Sequence, residues 1–296
     1  MFNLIKRHLL YTIRDRSAFA MSFLSVIILI IIYKAFLGQF QIDSLKQAAQ
    51  LQTVPTAGLN MTNYWLISGL VVVTAITSVV GGLSVVVDDY VTGKQLDFKI
   101  SGASPIKLII SYYLAAIILG FCVTVIALIF GITIFVGFNG LLSFTLWQWL
   151  TLLGNILLSN LFAVTLTMPI VQLVKSRTGF ASLSTIIGTL VGFVAGVYIA
   201  MGNLSTAIKN IMLATPFIHL NVMFKRILMH DSEMKFFQSF PKSAQLTYDK
   251  MYGNQLYFPK SGELITHQQS LLFILLWIVV LGCLNIFVNL LVAKKH

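Results

Sequence analysis

Six stretches of this chain stay apolar for about 20 residues or more, the length a helix needs to cross the hydrocarbon core of a bilayer. They cover residues 18–37, 64–87, 108–136, 147–174, 179–201 and 270–293. With 57% of 296 residues hydrophobic and 10% charged, the polar surface is too small to coat a globule in water. The predicted fold class is therefore an all-α polytopic membrane protein with six transmembrane helices. Its environment is the lipid bilayer.

The net charge of +11 does not point to nucleic acid, because Lys and Arg flank the apolar runs instead of forming a patch interleaved with exposed aromatics. Short loops rich in basic residues are retained on the cytoplasmic side. One side collects Lys6, Arg7, Arg14 and Arg16, then Lys94, Lys99 and Lys107, then Lys175 and Arg177, then Lys294 and Lys295. The opposite short loops carry Lys46 alone, with Lys34 in the last turn of the first span. Both termini are therefore expected in the cytoplasm of a bacterial cell, with the chain in the cytoplasmic membrane. Residues 202–267 hold seven basic residues, but loops longer than about 60 residues escape the rule. Trp65, Trp147 and Trp149 sit near the expected outer ends as an aromatic belt.

Within residues 1–16, Phe2, Ile5, Leu9 and Ile13 recur at helical spacing with Arg7 and Arg14 on another side of the wheel. That pattern fits an interfacial helix, and equally a simple positive anchor.

A search for catalytic chemistry returns none. There is no H-E-x-x-H, neither Cys122 nor Cys283 belongs to a C-x-x-C pair, and no metal site is expected. Gly93-Lys94 is not a phosphate loop, since Gln95 stands where Ser or Thr is needed and Asp88 replaces the first glycine. Carriers driven by ion gradients place ionisable groups at membrane depth. The six spans hold only Lys34, near enough to an end to snorkel. Energy for transport is expected from another subunit. The polar residues Asn155, Asn160, Gln172 and Asn285 read better as interhelical hydrogen bonders than as a path.

Three segments stand out. In the fifth span Ser184, Gly188, Gly192, Gly196 and Ala200 follow one another at four-residue intervals, a face without bulk on which another backbone can lie. Spacing leaves open whether that backbone is in the same chain; the expectation is a seam between subunits. The connection 88–105 contains Lys94, Gln95, Leu96, Asp97, Phe98, Lys99 and Ile100, an amphipathic piece in which a short helix presenting Leu96, Phe98 and Ile100 would suit a partner's groove; the alternative is a solvated turn. It ends in Ser104-Pro105, a helix-start signal. Within 203–267, the apolar run 203–229 is broken at Thr215-Pro216 and too polar at Lys209, His219, Lys225 and Arg226 for an easy crossing. A re-entrant or interfacial helical pair hinged there, followed by a polar external cap, is expected before the last span.

The arrangement resembles the ABC-2 type permeases, the membrane subunits of type V ABC exporters. The resemblance covers nearly the whole chain as one transmembrane domain, 1–296. Its local marks are Asp88-Asp89, Gly93 and Ser104-Pro105, then Thr215-Pro216-Phe217 and Phe224-Lys225-Arg226. The family commonly places a basic residue beside the acid ahead of that glycine; here a second Asp stands instead. The resemblance implies an exporter of amphipathic or hydrophobic cargo, with no cofactor and no ATPase site in this chain. Two copies of a separate ABC ATPase subunit would bind ATP and Mg, and a second permease, identical or related, would complete the assembly. Residues 94–102 would be the coupling helix, and the first, second and fifth spans would line the path or the seam. The competing expectation is a secondary transporter or channel not powered by ATP.

Overall fold

The computed structural model describes residues 1–14, 27, 30, 31, 33, 38–49, 51–102, 104–259 and 261–294. The expected first span, 18–37, falls almost wholly outside the described residues, Lys34 included. The helices are α1 (Phe2–Arg14), α2 (Gly38–Ala49), α3 (Thr56–Gly82), α4 (Ser84–Val91), α5 (Lys94–Ile100), α6 (Pro105–Phe135) and α7 (Phe138–Leu142). There follow α8 (Leu146–Leu173), α9 (Arg177–Val194), α10 (Thr206–Leu213), α11 (Pro216–Leu228), α12 (His230–Phe237), α13 (Lys242–Tyr252) and α14 (His267–Lys294). Among the described residues the sole β pairing is one antiparallel bridge, Tyr257 to Leu264.

Among the described residues five helical runs are long and apolar enough to cross a membrane: Thr56–Val91, Pro105–Phe135, Leu146–Leu173, Arg177–Val194 and His267–Val288. The chain is an all-α polytopic membrane protein. The second expected span, 64–87, is the middle of a longer run in which α3 and α4 meet at Leu83. Here α3 is the hub, packed against α6, α8, α9, α11 and α12. That enclosure explains its composition. Leu70, Val71, Val72 and Val73 point in all directions around the helix and are all buried, because protein lies on every side. The outer helices differ: Ile186 and Leu190 of α9, and Leu272, Leu276 and Val279 of α14, are exposed on the outside of the bundle.

Local chemistry sets the helix starts. Pro105 occupies the first turn of α6, where its missing N–H costs no hydrogen bond. Thr145 and Gln148 form a reciprocal capping box on α8, satisfying two donors the helix itself leaves free. Of the polar residues expected to bond between helices, Asn285 does so. Asn285 of α14 donates to the Thr165 carbonyl of α8 at 2.7 Å and accepts from Tyr113 Oη of α6 at 2.5 Å.

The fifth span departs from expectation. The apolar run extends over 179–201, but α9 stops at Val194. Gly196 adopts φ +68°, and the N–H groups of Gly196 and Val197 return to the carbonyls of Phe193 and Gly192, both at 3.0 Å. This double closure is a Schellman end, for which glycine supplies the left-handed residue without a Cβ penalty. Gly196 therefore terminates the helix, and Ala200 lies beyond it.

The chain bends sharply at Thr215-Pro216. There α10 and α11 meet at a bend of 82°, with Thr215 Oγ1 donating to the Met212 carbonyl at 2.8 Å and Pro216 opening α11. Proline cannot continue α10 as a helix but fits the first turn of the next. Polar residues of α11 find protein partners. His219 Nε2 lies 3.0 Å from the Leu213 carbonyl, and Asn221 Nδ2 donates to the Ala195 carbonyl at 2.7 Å.

Candidate functional site

The connection 88–105, expected from the resemblance to couple to an ATPase, starts in the last turn of α4. Thr92 Oγ1 bonds back to the Asp88 carbonyl at 2.6 Å, and Gly93 turns the chain at φ +75°. Then come the seven residues of α5, closed by Ser101 Oγ on the Phe98 carbonyl at 3.0 Å. Ser104 sits at the N-cap position of α6, although its side chain makes no capping bond.

The three apolar side chains of α5 do not share a face, and this corrects the expectation that Leu96, Phe98 and Ile100 are presented together. Residues four apart on a helix align, while residues two apart point to opposite sides. Leu96 and Ile100 accordingly project outward, 61% and 86% exposed, whereas Phe98 turns inward with the Arg7 guanidinium 4.9 Å from its ring centre. Lys94 likewise folds back, its Nζ 5.6 Å from the Tyr11 ring centre. Gln95 is half-buried and Asp97 exposed, while the Lys99 side chain lies outside the described residues.

What α5 leans on is a cluster that sequence reading missed. Arg7 of α1 donates to both oxygens of Asp89 at 2.7 and 2.5 Å, and Tyr112 Oη of α6 donates to the same carboxylate at 2.7 Å. Asp89 is wholly buried. The hydrogen bond to Asp89 holds the Arg7 proton more firmly than usual, against the opposing effect of burial. Beside it His8, also buried, lies 3.0 Å from Ser111 Oγ and packs on the Tyr112 ring at 4.2 Å. Burial and then the Arg7 charge lower the His8 pKa to about 4, with Asp89 pulling the other way. The neighbouring Asp88 accepts from Tyr11 Oη at 3.0 Å and from Arg177 Nε at 2.5 Å.

Consecutive acids at the end of α4 thus draw α1, the start of α6 and the start of α9 to one point. Their cations come from 82 residues upstream and 89 downstream, so the basic neighbour missing from the local sequence is replaced in space. The available signal was weak: two carboxylates closing an apolar run need cations, but any of the flanking basic residues could have supplied them.

The small-residue face of α9 is occupied by its own chain. A side chain at Gly192 would overlap the Tyr198 ring, which has folded back beyond the Gly196 turn, and one at Gly188 would touch Thr77 of α3. Ser184 bonds to the Phe180 carbonyl at 2.9 Å. The stripe expected to seal two subunits packs within this one at Gly188 and Gly192.

Among the described residues no group of three or more His, Cys, Asp or Glu is placed to hold a metal ion. No curated protein and no solved structure matches the chain. A family model described as "ABC-2 family transporter protein" matches residues 39–287, which takes in every helix from α3 to α13. With its apolar crossing helices and the acid cluster that gathers α1, α4, α6 and α9, the chain belongs to the ABC-2 family, as a multi-pass membrane permease of an ABC transporter.

Proposed function

We propose that this permease exports an amphipathic or hydrophobic substrate, powered by two copies of a separate ATPase subunit that bind ATP and Mg. The ABC-2 family in general works with an ABC ATPase. In this reading the end of the bundle bearing α1 and α5 is cytoplasmic, in a bacterial membrane. Lys6, Arg7, Arg14, Lys94, Lys107, Lys175 and Arg177 all fall at that end of their segments, as retention of basic loops requires.

The observation that carries the proposal is the path from surface to core at α5. Leu96 and Ile100 face outward, free for an ATPase groove, while Phe98 on the opposite side is stacked under Arg7. Arg7 in turn is locked to Asp89 at the end of the central span. A push on α5 reaches the α3–α4 run through direct side-chain contacts. Differential affinity of the ATPase for two positions of α5 is then enough to bias two arrangements of the spans.

A second permease, identical or related, is assigned to the open side of α9. That side carries the hydroxyls Thr178, Ser182, Thr185 and Thr189 together with Ile186, Leu190 and Phe193, all exposed. Hydroxyls on a crossing helix suit contact with protein or a path better than contact with lipid alone.

The test is co-reconstitution with the ATPase in vesicles, reading complex formation and ATP turnover. Leu96→Ala with Ile100→Ala should weaken the complex and lower substrate-stimulated turnover without unfolding the spans. Undiminished turnover would remove α5 as the coupling element. Uphill transport by the permease alone on an ion gradient would overturn the ATP-driven reading altogether.

A further inference from the structure

At the other end of the bundle, the cap is fastened by one lysine. Lys225 of α11 is 1% exposed, and its Nζ donates to the carbonyls of Tyr252 and Gly253 at 2.9 and 3.1 Å, the open C-terminal end of α13. A cation there complements the helix dipole. The same Nζ lies 4.7 Å from the centre of the Trp65 ring on α3, and Trp65 Nε1 donates to the Tyr252 carbonyl at 2.8 Å. Span two, the hinged helix and the cap therefore meet at the last turn of α13.

One turn earlier on α13 stands a carboxyl in an awkward place. Asp249 is 1% exposed. Its Oδ1 accepts from Asn254 Nδ2 at 3.3 Å, and its Oδ2 has no hydrogen-bond partner among the described residues. Lys225 Nζ is engaged by the two carbonyls and makes no ion pair with Asp249 within 4.0 Å. A second carboxyl, Glu233 of α12, acts on the same spot, itself held by Gln245 Nε2 at 2.9 Å. The other ionisable groups whose charges bear on this cluster are Arg226 of α11, Tyr248 and Tyr252 of α13, Tyr257 after it and Tyr33 before α2.

An ionised carboxylate shut away from water beside a second carboxyl is strongly disfavoured, and it accepts a proton instead, which Glu233 can share. Burial first, and Glu233 next, push the Asp249 pKa up to about 8, with Asn254 and Lys225 opposing. We propose that the cap is a proton-held lid: a neutral Asp249 lets α13 seat on Lys225 and Trp65, and ionisation of Asp249 loosens that seat. The sign follows from linkage. The closed cap binds the proton more tightly than the open one, so closure is strongest below the ordinary carboxylate range. It weakens as pH climbs toward about 8. The lid stands apart from the transport reading, since its failure would leave the α5 coupling untouched.

Hydrogen exchange on the full chain in lipid nanodiscs, corrected for intrinsic rates, tests the proposal. Protection of residues 242–254 should fall by up to tenfold per pH unit between pH 5 and 8, while α6 stays unchanged. Asp249→Asn, neutral and of the same shape, should stay protected throughout. Glu233→Gln should shift the end of the decline to lower pH. Protection independent of pH in the native chain, an undiminished pH response in Asp249→Asn, or failure of that variant to fold would each overturn the lid.

Discussion

Arg7 grips both carboxylate oxygens of Asp89, at 2.7 and 2.5 Å, across 82 residues of chain, and Tyr112 completes the shell from a third helix. The acid has no exposure at all while the arginine keeps about 29% of its side chain in contact with solvent. The asymmetry matters, because removal of the cation strands a buried charge, whereas removal of the acid leaves the cation able to turn outward.

Arg7→Met should accordingly destabilise the folded chain by about 3 to 5 kcal/mol, the usual consequence of leaving one member of a buried pair alone. Combining it with Asp89→Asn should recover more than half of that loss. Equilibrium unfolding in detergent of the two single variants and the double variant measures the coupling directly. Equal stability of Arg7→Met and the native chain would mean that the pair does not hold α1 in place.

Acid should release α1. His8 is held neutral in its niche against Ser111 and Tyr112, with a pKa lowered to about 4 from an ordinary 6.5. A depressed folded pKa means the contribution is whole above 6.5 and is lost as pH falls through the window from 6.5 to about 4. Protease accessibility of residues 1–14 should rise across that window and not across pH 7 to 8. His8→Gln, which cannot take up the proton, should flatten the response.

The two sides of α5 should separate binding from coupling. Leu96→Ala is expected to weaken ATPase affinity by about tenfold, since the lost apolar contact is worth on the order of 1 to 2 kcal/mol. Phe98→Leu touches only the Arg7 side, so the complex should form with near-native affinity while substrate no longer stimulates turnover. Binding measured by pull-down titration and turnover measured in vesicles would distinguish the two. Identical behaviour of both variants would deny α5 its two-sided role.

Gly192→Leu should harm the monomer before it harms any assembly. The added side chain has to displace the Tyr198 ring, and overfilling a packed site costs about 1 to 3 kcal/mol. Adding Tyr198→Ala should restore much of the stability by clearing the space. Thermal unfolding of the purified chain reads this, and a Gly192→Leu protein of native stability with altered subunit stoichiometry would return the glycine face to an intersubunit role.

Much of this architecture was legible from local features. Pro105 and Pro216 marked helix starts, and the runs through 108–136, 147–174 and 270–293 lie within a few residues of α6, α8 and α14. The face of α5 was misread because Leu96, Phe98 and Ile100 were grouped by composition, when the helical repeat sends the middle one to the far side. The fifth span was overextended for a related reason. Hydropathy stays high through 195–201, so nothing in the apolar count reports that Gly196 has turned the backbone left-handed.

The sequence alone determined that the chain belongs in a bilayer, roughly where it crosses, and where its basic residues collect. Each of those is a sum over neighbouring residues, and transfer from water to lipid depends on such sums. Tertiary structure decided which cation answers each aspartate, that Tyr198 fills the notch at Gly192, and that Lys225 fastens the cap to Trp65. These are single contacts between distant segments, chosen by how the helices pack, and many basic or aromatic residues were equally eligible until packing brought one of them within reach.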